Sequence, residues 1–213
     1  MRYYRGTVAQ HQKRPAMSPS PATAHPPITA IILAGGRARR MGGEDKALQL
    51  LQGRPLLAHV IERIAPQVET LLLNSNRPAE HYRDFGLPVV ADPLPGQPGP
   101  LAGLLAGLAH SETPLLLAVP CDTPRLPADL VARLYAALEA ESADVSTPQA
   151  GGRLQAAVML LRRENRATLE AFLAAGGRRV QEWLGQQRLA AAPFSDAAAF
   201  VNINTNKALR AFR

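Results

Sequence analysis

The run Leu33–Lys46, LAGGRARRMGGEDK, places four glycines (Gly35, Gly36, Gly42, Gly43), three arginines (Arg37, Arg39, Arg40) and Lys46 directly after the apolar stretch Ile28-Thr29-Ala30-Ile31-Ile32. Glycine lets a backbone approach an anion and aim N–H groups at its oxygens. Arginine and lysine neutralise charge that backbone dipoles cannot. A strand that empties into such a loop has the chemistry of a polyphosphate cradle. The glycines alone would read equally well as an ordinary βα loop. A Walker A loop closes on Gly-Lys-Ser/Thr, whereas Lys46 stands between Asp45 and Ala47. The dinucleotide fingerprint G-x-G-x-x-G is missing from Gly35 to Arg40 as well. The ATPase and dehydrogenase readings both fail.

Asp122 follows the most apolar stretch of the chain, in Pro120-Cys121-Asp122-Thr123-Pro124. Facing a polyphosphate loop, it is a natural hard-oxygen ligand for Mg²⁺, which binds through few carboxylates plus substrate phosphates. The plainer reading is a turn cap between two prolines; the glycine loop favours the metal. Cys121 has no base motif beside it and reads as packing. Asn74 and Asp92 each close a predicted strand, and each could be a turn residue. A carboxylate can accept from both N1–H and the exocyclic amine of guanine, which gives Asp92 a base-reading or ribose-binding role. Gly99-Pro100-Leu101-Ala102-Gly103 then opens a helix whose small residues let a flat base lie close.

These residues need a scaffold, and the hydrophobic pattern supplies one. Strands are predicted over Ile28–Leu33, Glu69–Leu73, Val89–Ala91, Leu115–Val119 and Ala156–Leu161. Helices are predicted over Pro55–Ala65, Leu101–His110, Pro127–Glu141 and Glu164–Ala175. The alternation means a single α/β domain: a mostly parallel, Rossmann-like sheet with helices on both faces. Ligands of such sheets sit beyond the carboxyl ends of the strands, where Asn74, Asp92 and Asp122 all fall. Residues 1–27 carry Arg2, Arg5, Lys13 and Arg14, no acid and no hydrophobic period. They are expected to form a disordered tail ahead of a domain at 28–213, with Met17 as an alternative start.

The 213 residues, 46% hydrophobic, suffice for one well-buried core. A single cysteine excludes an internal disulfide, and the five histidines lack ligand spacing for zinc. The basic tail supplies more than half of the +7 net charge. What is left suits anionic small-molecule substrates rather than a nucleic acid, and aromatics are only 5%. No apolar run reaches a membrane-spanning length, so no membrane partner and a cytoplasmic setting are expected.

The signature LAGG-x(3)-RMG-x(2)-DK resembles that of nucleotidyltransferases with a Rossmann-like sheet, and within them the molybdenum cofactor guanylyltransferases. Asn74, Asp92 ahead of GPLAG, and PCDTP stand at matching positions. Gly177-Arg178-Arg179-Val180 resembles that family's G-x-R-R-V, and Phe200–Thr205 its F-x-N-x-N-T. The likeness runs from Ile28 to the C-terminus. Two departures are Asn206-Lys207-Ala208 after N-T, and the lack of proline in Gly152–Ala156. Asparagines two apart on an extended segment point to one side, which suits the donor–acceptor edge of a pterin.

The resemblance implies a Mg²⁺-dependent transfer of GMP from GTP to molybdopterin cofactor. It assigns Leu33, Ala34 and Gly35 to the nucleotide through their backbone, Lys46 to its phosphates, and Asn74 and Asp92 to base or ribose. Asp122 would take the metal, Arg40 the leaving pyrophosphate, and Arg179, Asn202 and Asn204 the pterin. A monomer is expected, with transient contacts to molybdopterin-handling proteins or molybdoenzymes. The rivals are a cytidylyltransferase on the same pterin, whose relatives read LAAG, and a non-catalytic pterin or nucleotide carrier on the same fold. Sugar-1-phosphate nucleotidyltransferases fit less well, since they carry G-x-G-T/S-R and a longer chain.

Overall fold

The computed structural model describes residues 25–34, 45–94 and 99–203. The strands are β1 (Ile28–Leu33), β2 (Leu50–Leu51), β3 (Arg54–Pro55), β4 (Thr70–Asn74), β5 (Val89–Val90), β6 (Leu115–Pro120), β7 (Val145–Ala150), β8 (Arg153–Leu154), β9 (Met159–Arg162) and β10 (Leu189–Phe194). The helices are α1 (Leu56–Ile64), α2 (Pro100–His110), α3 (Leu130–Ala140), α4 (Asn165–Ala174) and α5 (Val180–Leu184). The main sheet runs β10-β7-β9-β6-β1-β4-β5, with β8 paired to β7. β1 lies parallel between β4 and β6, β4 is parallel to β5, and β7 to β10; only β9, with the short β8, runs antiparallel.

Side-chain alternation along the strands builds two cores. Ile28, Ala30 and Ile32 of β1 join Leu71 and Leu73 of β4 and Leu115, Leu117 and Val119 of β6 on one face. Leu57, Val60 and Ile64 of α1 and Leu130, Leu134 and Leu138 of α3 cover that face. Ile31, Leu72, Leu116 and Ala118 point the other way, under α2, α4 and α5 with the fully buried Trp183. Strands buried on both faces read as continuous apolar runs, which is why β1, β4 and β6 are visible in the sequence. The helix over 127–141 begins at Leu130, and its three leucines face inward as the periodicity predicts.

Two other parts of the fold lack such a signal. β7 reads Val-Ser-Thr-Pro-Gln-Ala, a turn composition, yet Val145, Ser146, Thr147 and Pro148 are buried. Its proline is tolerated because β9 pairs only with Val145 and Ser146, and β8 only with Gln149 and Ala150. Pro148 therefore sits between the two antiparallel ladders, where its missing N–H is not needed on that side. The β2–β3 hairpin turns through Gln52 (φ 51°) and Gly53 (φ 78°). Glutamine at the first turn position hides the Asn-Gly or Asp-Gly signature such turns normally show.

The register decides where the functional residues emerge. Leu33 of β1 is level with Asn74 of β4 and Pro120 of β6, and Asn74 with Val90 of β5. The segments that follow these strands, from Ala34, Ser75, Ala91 and Cys121 onward, leave the sheet along one edge. Of the expected tail, residues 25–27 are described; the His25 ring meets Tyr135 of α3 edge-on at 5.9 Å. Among the described residues no helix is long and apolar enough to cross a membrane.

Candidate active site

At that carboxyl edge Lys46 and Asp122 form an ion pair through Nζ and Oδ2. Asp122 lies two residues past the end of β6, and Lys46 opens a single 3-10 turn, Lys46–Leu48. Asp45 caps this turn by accepting from the Ala47 N–H at 3.0 Å, a side-chain cap that places Lys46 at its first position. Asp45 in turn accepts a hydrogen bond from the buried Tyr82 hydroxyl and lies 3.6 Å from Nε of Arg77. Burial, with the Asp45 carboxylate second, pushes the Tyr82 phenol well above its ordinary range, so it remains a donor at neutral pH.

The second cluster lies across β1. Asn74 is 2% exposed, and its Nδ2 donates to Val90 O at 3.2 Å and to Asp92 Oδ1 at 2.9 Å. Asn76 donates to the other Asp92 oxygen at 2.7 Å and accepts from the Asp92 N–H through Oδ1 at 2.9 Å. Asp92, only partly buried, thus has each carboxylate oxygen fixed by one amide. Each oxygen retains a lone pair for a further donor. Helix α2 descends onto this cluster with Pro100 as its first residue after Gly99 (φ 89°). A Cβ on Gly103 would fall 2.2 Å from Asn74 Oδ1 and 2.8 Å from Leu33 Cδ2. Gly103→Ala is therefore expected to displace Asn74, weaken nucleotide binding and lower stability by about 1–3 kcal/mol, measured by nucleotide titration and thermal melting. Unchanged behaviour in both would show that the helix yields freely.

The C-terminal segment completes the site. Ile203 N–H donates to Asp122 O at 2.9 Å, and Thr123 Oγ1 donates to Asn202 Oδ1 at 2.8 Å. Asn202 is thereby brought beside Asp122, although eighty residues separate them in sequence, about the span of a small domain. Leu33 and Ala34 are held by backbone bonds, Cys121 N–H to Leu33 O at 3.1 Å and Ala34 N–H to Asn74 O at 2.9 Å. Arg179 is different. Its described partner is Glu182 at 3.1 Å, its side chain is mostly exposed, and nothing described joins it to Asp122 or Asn202. Gly35, Arg40 and Asn204 lie outside the described residues. A cavity of about 460 Å³ opens beside the site, between Gln52, His59, Arg63 and Arg125; Lys46, Asp92 and Asp122 are not in its walls.

Asp122 is 6% exposed, and its Oδ1 has no hydrogen-bond partner among the described residues. A buried carboxylate oxygen left open is the donor a hard cation takes. No group of three or more His, Cys, Asp or Glu gathers among the described residues. A cation here would therefore be held by Asp122 together with phosphate oxygens, a division of ligands that fits Mg²⁺. Cys121 is buried, and burial foremost, then Asp122, drives its thiol far above the ordinary range. It is expected to resist alkylation in the folded protein and react on unfolding, with Cys121→Ala close to wild-type turnover. Rapid labelling of the native thiol would contradict this.

Asn76, Ser75 and Tyr82 were not singled out by the sequence. Asn76 could have been, since Asn74-Ser75-Asn76 has the same two-residue spacing as Asn202 and Asn204.

A mostly parallel Rossmann-like sheet with a lysine–aspartate pair and a braced carboxylate beyond the carboxyl ends of its strands has the layout in which α/β proteins bind nucleotides. The chain belongs to the MobA-like NTP transferase family, whose domain matches residues 30–191. It is 49% identical over 179 residues to the molybdenum cofactor guanylyltransferase of Shewanella sp. (strain ANA-3), covering 84% of this chain and 91% of that one. The molybdenum cofactor guanylyltransferase of Cupriavidus necator is 48% identical over 188 residues, covering 86% and 94%. Among solved structures, the molybdopterin-guanine dinucleotide biosynthesis protein A of Archaeoglobus fulgidus superposes with a TM-score of 0.71 over 86% of this chain and 95% of its own. At 21% identity it attests the fold. The 4-diphosphocytidyl-2C-methyl-D-erythritol synthase of Anaerococcus prevotii does so too, with a TM-score of 0.68 at 12% identity.

Proposed function

We propose that this chain transfers GMP from GTP to the terminal phosphate of molybdopterin cofactor and releases pyrophosphate, with Mg²⁺ as cofactor. The observation that carries this reading is the Lys46–Asp122 pair at the sheet's carboxyl edge in a chain so similar to guanylyltransferases acting on that cofactor. A carrier would bind nucleotide and pterin without needing a buried carboxylate with an open oxygen beside a phosphate-facing lysine. The carrier and cytidylyltransferase readings are accordingly not favoured.

In the reaction an oxygen of the acceptor phosphate attacks the α-phosphorus of GTP, and the bond to the bridging oxygen of pyrophosphate breaks. The acceptor already carries the attacking oxygen, so no protein nucleophile is required. The chain's work is positioning and charge stabilisation. Leu33 and Ala34 bring backbone to the nucleotide, Lys46 takes its phosphates, and Asp92, braced by Asn74, reads the base. Asp122 would hold Mg²⁺, which would supply positive charge against the phosphates. By their place in the signature, Gly35 joins the backbone contacts and Arg40 meets the leaving pyrophosphate. Asn202, fixed beside Asp122 by Thr123, faces the acceptor; Asn204 and Arg179 are assigned to the pterin on resemblance. The protein is proposed to work in the cytoplasm as a monomer, meeting molybdopterin-handling proteins or molybdoenzymes transiently.

The test is pyrophosphate release with Mg²⁺ and molybdenum-loaded molybdopterin, comparing GTP with CTP and ATP. Losing a buried hydrogen-bond partner costs about 1–3 kcal/mol, so GTP should be preferred by roughly tenfold or more. Equal rates with CTP would remove the guanine assignment and leave the transfer. Absence of release with every nucleotide would favour the carrier.

A further inference from the structure

The loop after β4 reaches both clusters of the site. Its Asn76 side chain makes two reciprocal bonds with Asp92, one to the carboxylate and one from the backbone N–H. Ser75, one residue earlier and buried, turns the other way. Its Oγ lies 2.9 Å from the Tyr82 hydroxyl and accepts from the Arg77 N–H at 3.1 Å. The single phenolic proton goes to the Asp45 carboxylate, so Ser75 is the donor to Tyr82. Arg77 Nε approaches the same Asp45 oxygen. Asp45 caps the turn on which Lys46 stands. Within three residues the loop is bonded, in opposite directions, to the base-side carboxylate and to the support of the phosphate-side lysine.

We propose that Asn76 and Tyr82 are positioning residues for the nucleotide: Asn76 fixes Asp92 against the base, while Tyr82, held by Ser75, fixes Asp45 and through it Lys46 against the phosphates. The inference rests on the nucleotidyltransferase reading above and deepens it. The two braces differ in what they control. Asn76 is exposed, so its amide contributes little to the core, and its bonds to Asp92 are its described role. Tyr82 has its ring in the core beneath β4, so removing the hydroxyl alone spares the packing.

The experiment measures binding of GTP and of guanosine to the full chain without acceptor, by calorimetry and by competition. Asn76→Ala is expected to weaken both ligands alike, by roughly tenfold or more, the worth of a hydrogen bond to a charged group. Tyr82→Phe is expected to weaken GTP by a similar factor and leave guanosine unchanged, because only the phosphates meet Lys46. Asn76→Asp sets a second carboxylate against Asp92, so it should bind worse than Asn76→Ala and recover toward it as the pH falls into the carboxylate range. A general loosening of the domain would lower both ligands together in every variant, along with Tm. That result, or variants that bind like wild type, would overturn the proposal. If the wild type bound another nucleotide and not GTP, the guanylyl reading would fall, and the same comparison with that nucleotide and its nucleoside would still decide the braces. A wild type that bound no nucleotide would overturn both.

Discussion

Asp122→Asn is expected to abolish turnover while leaving the fold and the affinity for GTP in place. The amide has the shape of the carboxylate, so Ile203 N–H still finds the backbone oxygen at 122 and the C-terminal segment stays docked. What disappears is charge. Asp122 Oδ1, open and buried, becomes a poor Mg²⁺ ligand in either amide orientation. Removing one group that stabilises charge in the transition state costs about 3–4 kcal/mol, on the order of a hundred- to a thousandfold in rate. A metal ligand belongs at or above that range. The pairing with Lys46 adds a second consequence. Once Asp122 is uncharged, its carboxylate no longer competes with phosphate for Lys46, so GTP affinity should hold while kcat collapses. Single-turnover rates beside GTP titrations, with and without Mg²⁺, separate the two effects. A variant with near wild-type rates would make Asp122 a turn cap and return the carrier reading to the front.

Lys46→Ala should be comparably severe for turnover, again on the order of a hundredfold or more, and it should differ in stability and binding. The Lys46 side chain is 26% exposed and that of Asp122 9%. Removing the aspartate leaves a lysine that water can still reach; removing the lysine strands a carboxylate that water hardly reaches. Breaking a buried pair this way costs about 3–5 kcal/mol in the fully buried limit, and the exposure of Lys46 places this pair below that limit. Lys46→Ala should therefore melt several degrees below Asp122→Asn, and combining the two changes should restore part of the loss. Weaker GTP binding should accompany it, since a lysine on ground-state phosphates contributes to KM as well as kcat. Equal melting temperatures for the two single variants would show that the pair is not desolvated in solution.

Most of the residues proposed to carry this chemistry were legible because they lie just past an apolar run. β1, β4 and β6 are buried on both faces, so their sequences are mostly Ile, Leu, Ala and Val, and Ala34, Asn74 and Asp122 stand out at or just past their ends. The inward faces of α1 (Leu56, Val60 and Ile64) and α3 (Leu130, Leu134 and Leu138) were legible for the same reason, as the 3.6-residue period follows from which face is buried. Strands such as β7 and β10 were not. Val145–Ala150 and Leu189–Phe194 are rich in small or polar residues, and become strands by pairing with each other across more than forty residues of chain. No local pattern encodes such a pairing.

The site divides along the same line. Sequence alone pointed to a glycine- and arginine-rich loop, Lys46, Asp92 and Asp122 as candidates for one nucleotide-handling site, through residue type, strand-end position and the resemblance of their motifs to a known family. Only the tertiary structure decided that Lys46 pairs with Asp122, that Asn74 uses its amide to hold Asp92, and that Tyr82 stands behind Asp45. Those are contacts between side chains brought level by the parallel register of β1, β4, β5 and β6. Hydrogen bonds form through space at about 3 Å, whereas a sequence records only order along the chain.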